Sequence, residues 1–216
     1  MFSIIGMHIL IFGDSIAYGA WDGKGGWVQR LRTYIENNSP KHEKDTLVYN
    51  CGVSGDTTSN VLERFEKETG ARVGYEEDTV IIFSIGTNDC LRLNKTGKMN
   101  VDRKVFEKNI KNLIKSARKF SDKVFFVGLT PVDESKMGPV EWAPQFSARN
   151  IYIEKYDEMI RSVCRMEIVP FIEIFKNFKK TKYLKLLEDG DHPNSKGHEM
   201  IFEMVRDFLK KEKIIQ

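Results

Sequence analysis

Four short polar stretches carry the side chains best suited to chemistry: GDS at Gly13–Ser15, SGDT at Ser54–Thr57, GTND at Gly86–Asp89 and DGDHP at Asp189–Pro193. Together they hold what acyl transfer through a serine requires. A serine hydroxyl is a poor nucleophile until a base takes its proton. Ser15 follows an apolar run and is flanked by Gly13 and Gly19. Such a turn either is pure connection or holds a nucleophile out of a sheet edge. The bases on offer are four histidines. His8 lies inside the first apolar run and reads as a strand residue. His42 lies in the charged stretch SPKHEKD and reads as solvated, and His198 falls within a helical pattern, where it packs or caps a neighbour. His192 is the better base: it precedes Pro193, which suits the first turn of a helix, so it sits on a fixed loop at a helix start.

A catalytic imidazole needs an acceptor on its second nitrogen to present the correct tautomer. Asp189, with Gly190 between it and His192 to allow a tight reversal, can return onto Nδ1. The adjacent Asp191 is expected to point the other way. A carboxylate pair binding a metal is the rival reading of EDGDH, without other clustered ligands to support it. A developing oxyanion needs donors. The Ser15 backbone N–H at the start of a helix-like segment is one source, the Gly55 N–H a second, and the Asn88 side-chain amide a third. Taken alone, Asn88 reads equally well as a turn former.

Each stretch must be carried to one place. Five apolar runs read as buried strands: His8–Phe12, Thr46–Asn50, Thr79–Ile85, Lys123–Leu129 and Glu167–Pro170. The third and fourth are nearly continuous in β-branched and aromatic residues, as in a parallel sheet covered on both faces. Helix-period segments separate or follow them at Trp27–Asn37, Ser59–Glu68, Val101–Phe120, Ala148–Val163 and Ser195–Lys211. The alternation points to an α/β domain with right-handed crossovers. The four polar stretches all fall after strand ends, the edge where ligands bind in open α/β sheets. Pro131–Ser147 and Lys176–Asp191 are expected to be long loops at that edge. In the first, Met137, Trp142 and Phe146 either line an acyl pocket or form a packed flap.

Length and composition bound the rest. The chain has 216 residues, 41% of them hydrophobic and 30% charged, as in an ordinary globular protein, and no internal boundary is evident, so residues 1–216 are read as a single domain. A net charge of +3, from 34 basic and 31 acidic residues, is too even to argue for nucleic acid or an anionic membrane. The late lysines of FKNFKKTKYLK (Phe175–Lys185) read as a solvated basic face. Cys51, Cys90 and Cys164 are far apart and show no metal-ligand spacing, so buried free thiols in a reducing compartment are expected. No targeting segment or membrane span is read, and a cytoplasmic location is expected; oligomeric state is not readable.

The four stretches, in this order and each at a strand end, resemble the four blocks of the SGNH hydrolases, also called the GDSL lipase/esterase family. The family's four letters fall on Ser15, Gly55, Asn88 and His192. The resemblance runs from residue 8 to about residue 200. It implies a flavodoxin-like three-layer α/β/α sandwich with a five-stranded parallel sheet in the order 2-1-3-4-5. It also implies hydrolysis of an ester or thioester through an acyl-serine intermediate, Asp189 as the acid of a D-x-x-H motif, and no metal or organic cofactor. Ile16 replaces the leucine of GDSL, a conservative apolar exchange. The expected partner is a small-molecule ester. Acyltransferase, thioesterase and lysophospholipase activity suit the same machinery, and a carbohydrate- or lipid-binding module without turnover is the non-enzymatic alternative. Nucleotide binding fits poorly, because no G-x-G-x-x-G or P-loop lysine occurs, and GVSGD misses the G-x-S-x-G of α/β-hydrolases.

Overall fold

The computed structural model describes residues 6–38, 46–74 and 78–216; the His42 assignment lies outside them. The elements in chain order are β1 (Met7–Gly13), α1 (Ser15–Tyr18), α2 (Gly26–Asn38), β2 (Thr46–Gly52), α3 (Thr58–Gly70), β3 (Asp78–Ser84), β4 (Arg92–Leu93), α4 (Arg103–Ala117), β5 (Lys123–Val127), β6 (Phe146–Ser147), α5 (Asn150–Met166), β7 (Phe171–Ile172), α6 (Phe175–Lys179), a 3₁₀ turn at Tyr183–Leu186 and α7 (Ser195–Lys211). Five strands form one parallel sheet in the order β2-β1-β3-β5-β7. Counted by sheet strands alone, this is the 2-1-3-4-5 order. The short β4 and β6 pair antiparallel outside it.

Successive side chains on a strand face opposite ways, so each central strand must be apolar at every position when both faces are covered. On β1, Ile9 and Ile11 enter the layer that holds α2, α6 and α7, whereas Leu10 and Phe12 enter the layer that holds α3, α4 and α5. The second layer is built on aromatic rings. Phe12 and Phe65 lie 4.8 Å apart, Phe65 and Phe83 5.4 Å, and Phe83 and Phe126 4.9 Å. The first is anchored by the buried Trp27 of α2 and by Ile201, Val205 and Leu209 of α7. The amphipathic face of α7 thereby holds the C-terminal end of the chain against the first strand's layer.

The fifth strand departs from expectation. Glu167–Pro170 is apolar but closes α5 rather than pairing. Ile168 takes φ +54, its N–H reaches Arg165 O, and the Val169 N–H returns 2.8 Å to Cys164 O. These are the two bonds of a Schellman cap, and they leave the Ile168 side chain outside. The strand proper begins one residue beyond Pro170, whose carbonyl still accepts from Phe126 N–H. Lys176–Asp191, expected as a loop, contains α6 and the 3₁₀ turn. In the other long connection, of the three residues singled out, Met137 is buried and Phe146 half-buried against the core, as in a packed flap, while Trp142 is exposed.

Gly13 is required by packing: a Cβ there would lie 2.3 Å from Ser84 O and 2.6 Å from Ala17 Cβ. Backbone cannot yield as a flexible side chain can. Gly13→Ala should therefore lower the urea midpoint by an amount worth about 1–3 kcal/mol, the usual cost of overpacking. An unchanged midpoint would show that β1 and β3 are less tightly opposed than described.

Candidate active site

Ser15 is the first residue of α1, immediately beyond β1. The turn is made locally: the Asp14 carboxylate accepts from Ile16 N–H at 3.0 Å, and Gly19 at φ +92 ends the short helix by donating to Ser15 O at 3.0 Å. At the other end of the chain, Asn194 caps α7 by accepting from the N–H groups of Lys196 and Gly197, and Glu188 N–H bonds to His192 O at 2.8 Å. These bonds fold Asp189–His192 into a tight loop against the sheet edge. The loop is also held from the flap, where Asp133 N–H donates to Gly190 O at 2.7 Å.

The two ends meet. His192 Nε2 lies 2.9 Å from Ser15 Oγ, and His192 Nδ1 lies 2.7 Å from Asp189 Oδ2. With the imidazole proton on Nδ1, facing the carboxylate, Nε2 presents its lone pair to the hydroxyl. His192 is buried and Ser15 half-buried. Asp189 Oδ1 meanwhile accepts from the N–H groups of Asp191 and His192, at 3.2 and 3.0 Å. This curl corrects the expectation for Asp191. Rather than pointing away, its Oδ1 lies 3.1 Å from the same Nδ1 and is buried. The Asp189 turn is so tight that both carboxylates finish on one side of the ring.

The charges follow from this geometry. Burial disfavours the imidazolium, but Asp189 and Asp191 outweigh it and raise His192 above its ordinary value. Burial likewise pushes Asp189 up, yet its bonds to His192 and to the loop amides hold it well below the usual carboxylate range. Asp14 is the opposite case. Its burial lifts it to about 7, against the pull of the Ile16 N–H and of His192, with Asp89 and Asp191 adding to the rise. Asp189, Asp191 and His192 bring three ligand atoms within 4.8 Å, so these are the residues that would hold a cation. A cation there would compete for Nδ1, the atom that faces Asp189.

The remaining sequence candidates fall nearby in the chain's topology, at the ends of β2 and β3. Gly55 is exposed, at φ +86, with open space where a side chain would project. Asn88 is buried and uses one amide hydrogen on Asp56 O at 2.9 Å, which ties the end of β3 to the turn holding Gly55. Asp89 anchors the same junction by accepting from the N–H and hydroxyl of Thr58. The other two histidines among the described residues are core residues. His8 is buried on β1, its Nδ1 2.6 Å from Arg72 O. His198 is buried in α7, where desolvation holds it down to about 4.

Sequence reasoning missed two neighbours of the site. Asp14 showed only as part of a motif, with nothing to mark its burial. Trp21 stands edge-on to His192, ring centroids 6.2 Å apart at 89°. Its only sequence signal was an aromatic residue in the Gly-rich stretch after Ser15.

Residues 11–200 match the model of the GDSL-like lipase/acylhydrolase family. The chain belongs to that family. Its membership makes it a hydrolase of carboxylic esters. No curated protein matches it by sequence. Among solved structures, it is similar to a lipase/acylhydrolase from Enterococcus faecalis (21% identity, 95% of this chain and 96% of that one, TM-score 0.74). It is also similar to an α/β hydrolase from the metagenome of Lake Arreo, Spain (20%, 95% and 94%, 0.71) and to a variant acetyl xylan esterase from Geobacillus stearothermophilus (22%, 96% and 95%, 0.70). At these identities the likeness is one of fold.

The two carboxylates at Nδ1 stabilise the charged ring, so removing either charge should lower the His192 pKa. In an NMR titration of the His192 ring, Asp191→Asn should move the midpoint to lower pH by about 1–3 units, the range for an opposite charge within 4–6 Å. A midpoint that does not move would place Asp191 away from the ring in solution.

Proposed function

We propose that the chain is a serine esterase acting on small acyl esters, acetyl or short-chain, through an acyl-serine intermediate. Ser15 is the nucleophile, His192 the general base and then acid, and Asp189 the carboxylate that orients it. The reading is carried by one observation, the unbroken chain of contacts from Asp189 Oδ2 through His192 to Ser15 Oγ. In the first half-reaction Ser15 Oγ attacks the ester carbonyl as His192 Nε2 takes its proton. The oxyanion that forms is held by the N–H groups of Ser15 and Gly55 and by the Asn88 amide. His192 returns the proton to the leaving alcohol, and water repeats the sequence on the acyl-enzyme. The Asn88–Asp56 bond supports this role by fixing Asn88 and the turn of Gly55 relative to each other.

Preference for a short acyl group rests on the flap. Met137 and Phe146, the candidates for lining a long apolar groove, are spent on the core. The acetyl xylan esterase among the similar folds is in keeping with an acetyl ester. The near-balanced charge gives no reason to expect nucleic acid. Among the described residues no helix is long and apolar enough to cross a membrane. The three cysteines are free and buried, which supports a cytoplasmic setting.

Ser15→Ala should keep the near-ultraviolet circular dichroism of the parent and lose turnover of p-nitrophenyl acetate by a factor on the order of 10⁶, as when the serine of such a triad is removed. Turnover that survives would place the nucleophile elsewhere. Asn88→Ala should cost about 10²–10³ in kcat, the effect of one oxyanion donor. In a series of p-nitrophenyl esters from acetate to octanoate, kcat/KM should fall with acyl length; a rise would contradict the short-chain reading.

A further inference from the structure

Trp21 is the least economical residue near the site. Its backbone takes φ +63, a region that bulky side chains avoid, and its indole is 67% exposed, so the strained conformation gains no burial. What it gains is position, edge-on to the imidazole of His192 at 6.2 Å.

That position is enforced by the whole turn. The Asp22 carboxylate accepts from the N–H groups of Lys24 and Gly26, at 3.2 and 3.0 Å, and pairs with Arg30. Burial opposes the Asp22 charge, but Arg30 and these amides hold it down to about 2. Arg30 in turn donates to Gly26 O at 2.9 Å, to Ser195 O at 3.1 Å and to Ser195 Oγ at 2.8 Å. Ser195 opens α7, just beyond His192. One guanidinium therefore clamps the turn that carries Trp21 to the segment that carries the imidazole. Gly19 and Gly26 meet so closely that a Cβ on Gly19 would fall 2.7 Å from Gly26 N and one on Gly26 2.4 Å from Gly19 Cα. The indole is presented, not loosely tethered.

We propose that Trp21 is the platform for the alcohol half of the ester and that the alcohol it selects is a sugar ring. The inference rests on the esterase reading above and names the substrate class of that site. During acylation the leaving oxygen must sit at His192 Nε2 to receive the proton, while the acyl oxygen faces the donors of Ser15, Gly55 and Asn88. An indole centred 6.2 Å from the imidazole is within reach of a group held there. An exposed indole is a flat, rigid apolar face with a polar N–H, which suits the C–H face of a pyranose carrying hydroxyls at its rim. A fatty alcohol would need a continuous apolar wall, whereas the turn continues into Asp22, Gly23 and Lys24. The carboxylates at hand are already engaged, Asp189 and Asp191 by the imidazole and Asp22 by Arg30, so none offers a counter-charge to a cationic alcohol.

The test compares two acetyl esters that differ only in alcohol, methyl tri-O-acetyl-xyloside and ethyl acetate. Trp21→Ala should lower kcat/KM on the acetylated xyloside at least tenfold more than on ethyl acetate, with the difference in KM. Trp21→Phe should recover part of it. Trp21→Gly, which suits the backbone at φ +63 and removes the ring, should behave as Trp21→Ala does. In the Ser15→Ala background, calorimetric titration with the intact xyloside should show binding weakened at least tenfold by Trp21→Ala. Equal losses on both esters, or no loss on the xyloside, would overturn the proposal and leave Trp21 as a support for His192. If the parent enzyme turns over neither ester, or Ser15→Ala still turns over both, the esterase reading fails and this inference falls with it.

Discussion

The structure depends on one hydrogen bond across nearly the whole chain, between Ser15 Oγ at the end of β1 and His192 Nε2 before α7, 177 residues apart in sequence. Neither residue can reach the other unless the parallel sheet is complete. β1 must be central, so that its end opens at the sheet's carboxyl edge. α7 must lie along the same layer as α2, so that its N-terminus arrives there too. The apolar alternation of β1 and the buried stripe of Ile201, Val205 and Leu209 are in this sense parts of the site. The last strand, β7, lies at the sheet's edge with two strands between it and β1, and α7 closes that gap by crossing back to pack on α2.

The site also sets carboxylates against each other. Asp189 is held low by the ring and amides that it accepts from, while Asp14 and Asp89 are raised by burial to about 7 and 6. Environments that push neighbouring carboxyls apart are how one cleft keeps groups in different protonation states. For the raised two, the folded pKa exceeds the ordinary 3.8. The folded chain thus retains protons that the unfolded chain releases. Their contribution to stability is most favourable below about pH 4 and declines as pH climbs through 6 to 7. A region organised for chemistry is here a region that works against stability at neutral pH.

Much of this was legible in the residues themselves. β3 and β5 announced burial on both faces through their nearly continuous apolar runs, and α7 through its helix-period pattern. Ser15 and His192 showed through residue type and placement at strand ends. What stayed hidden depended on three-dimensional curvature. The apolar Glu167–Pro170 segment reads as a strand until the Schellman cap at Ile168 is seen to close α5. Asp191 reads as turned away until the two amide bonds to Asp189 curl the loop under the ring. Trp21 has no periodic signal at all. Its meeting with His192 follows from the Asp22–Arg30–Ser195 clamp, whose members are scattered along the sequence.

The central claim is that a single hydroxyl, activated by a single imidazole, does the chemistry. Mass-spectrometric peptide mapping after treatment with a fluorophosphonate tests it most directly, since this reagent reports an activated serine by the bond it forms. The account predicts one adduct, on the peptide containing Ser15, and its disappearance in His192→Ala. An adduct on another residue, or labelling of Ser15 that persists without the imidazole, would contradict it.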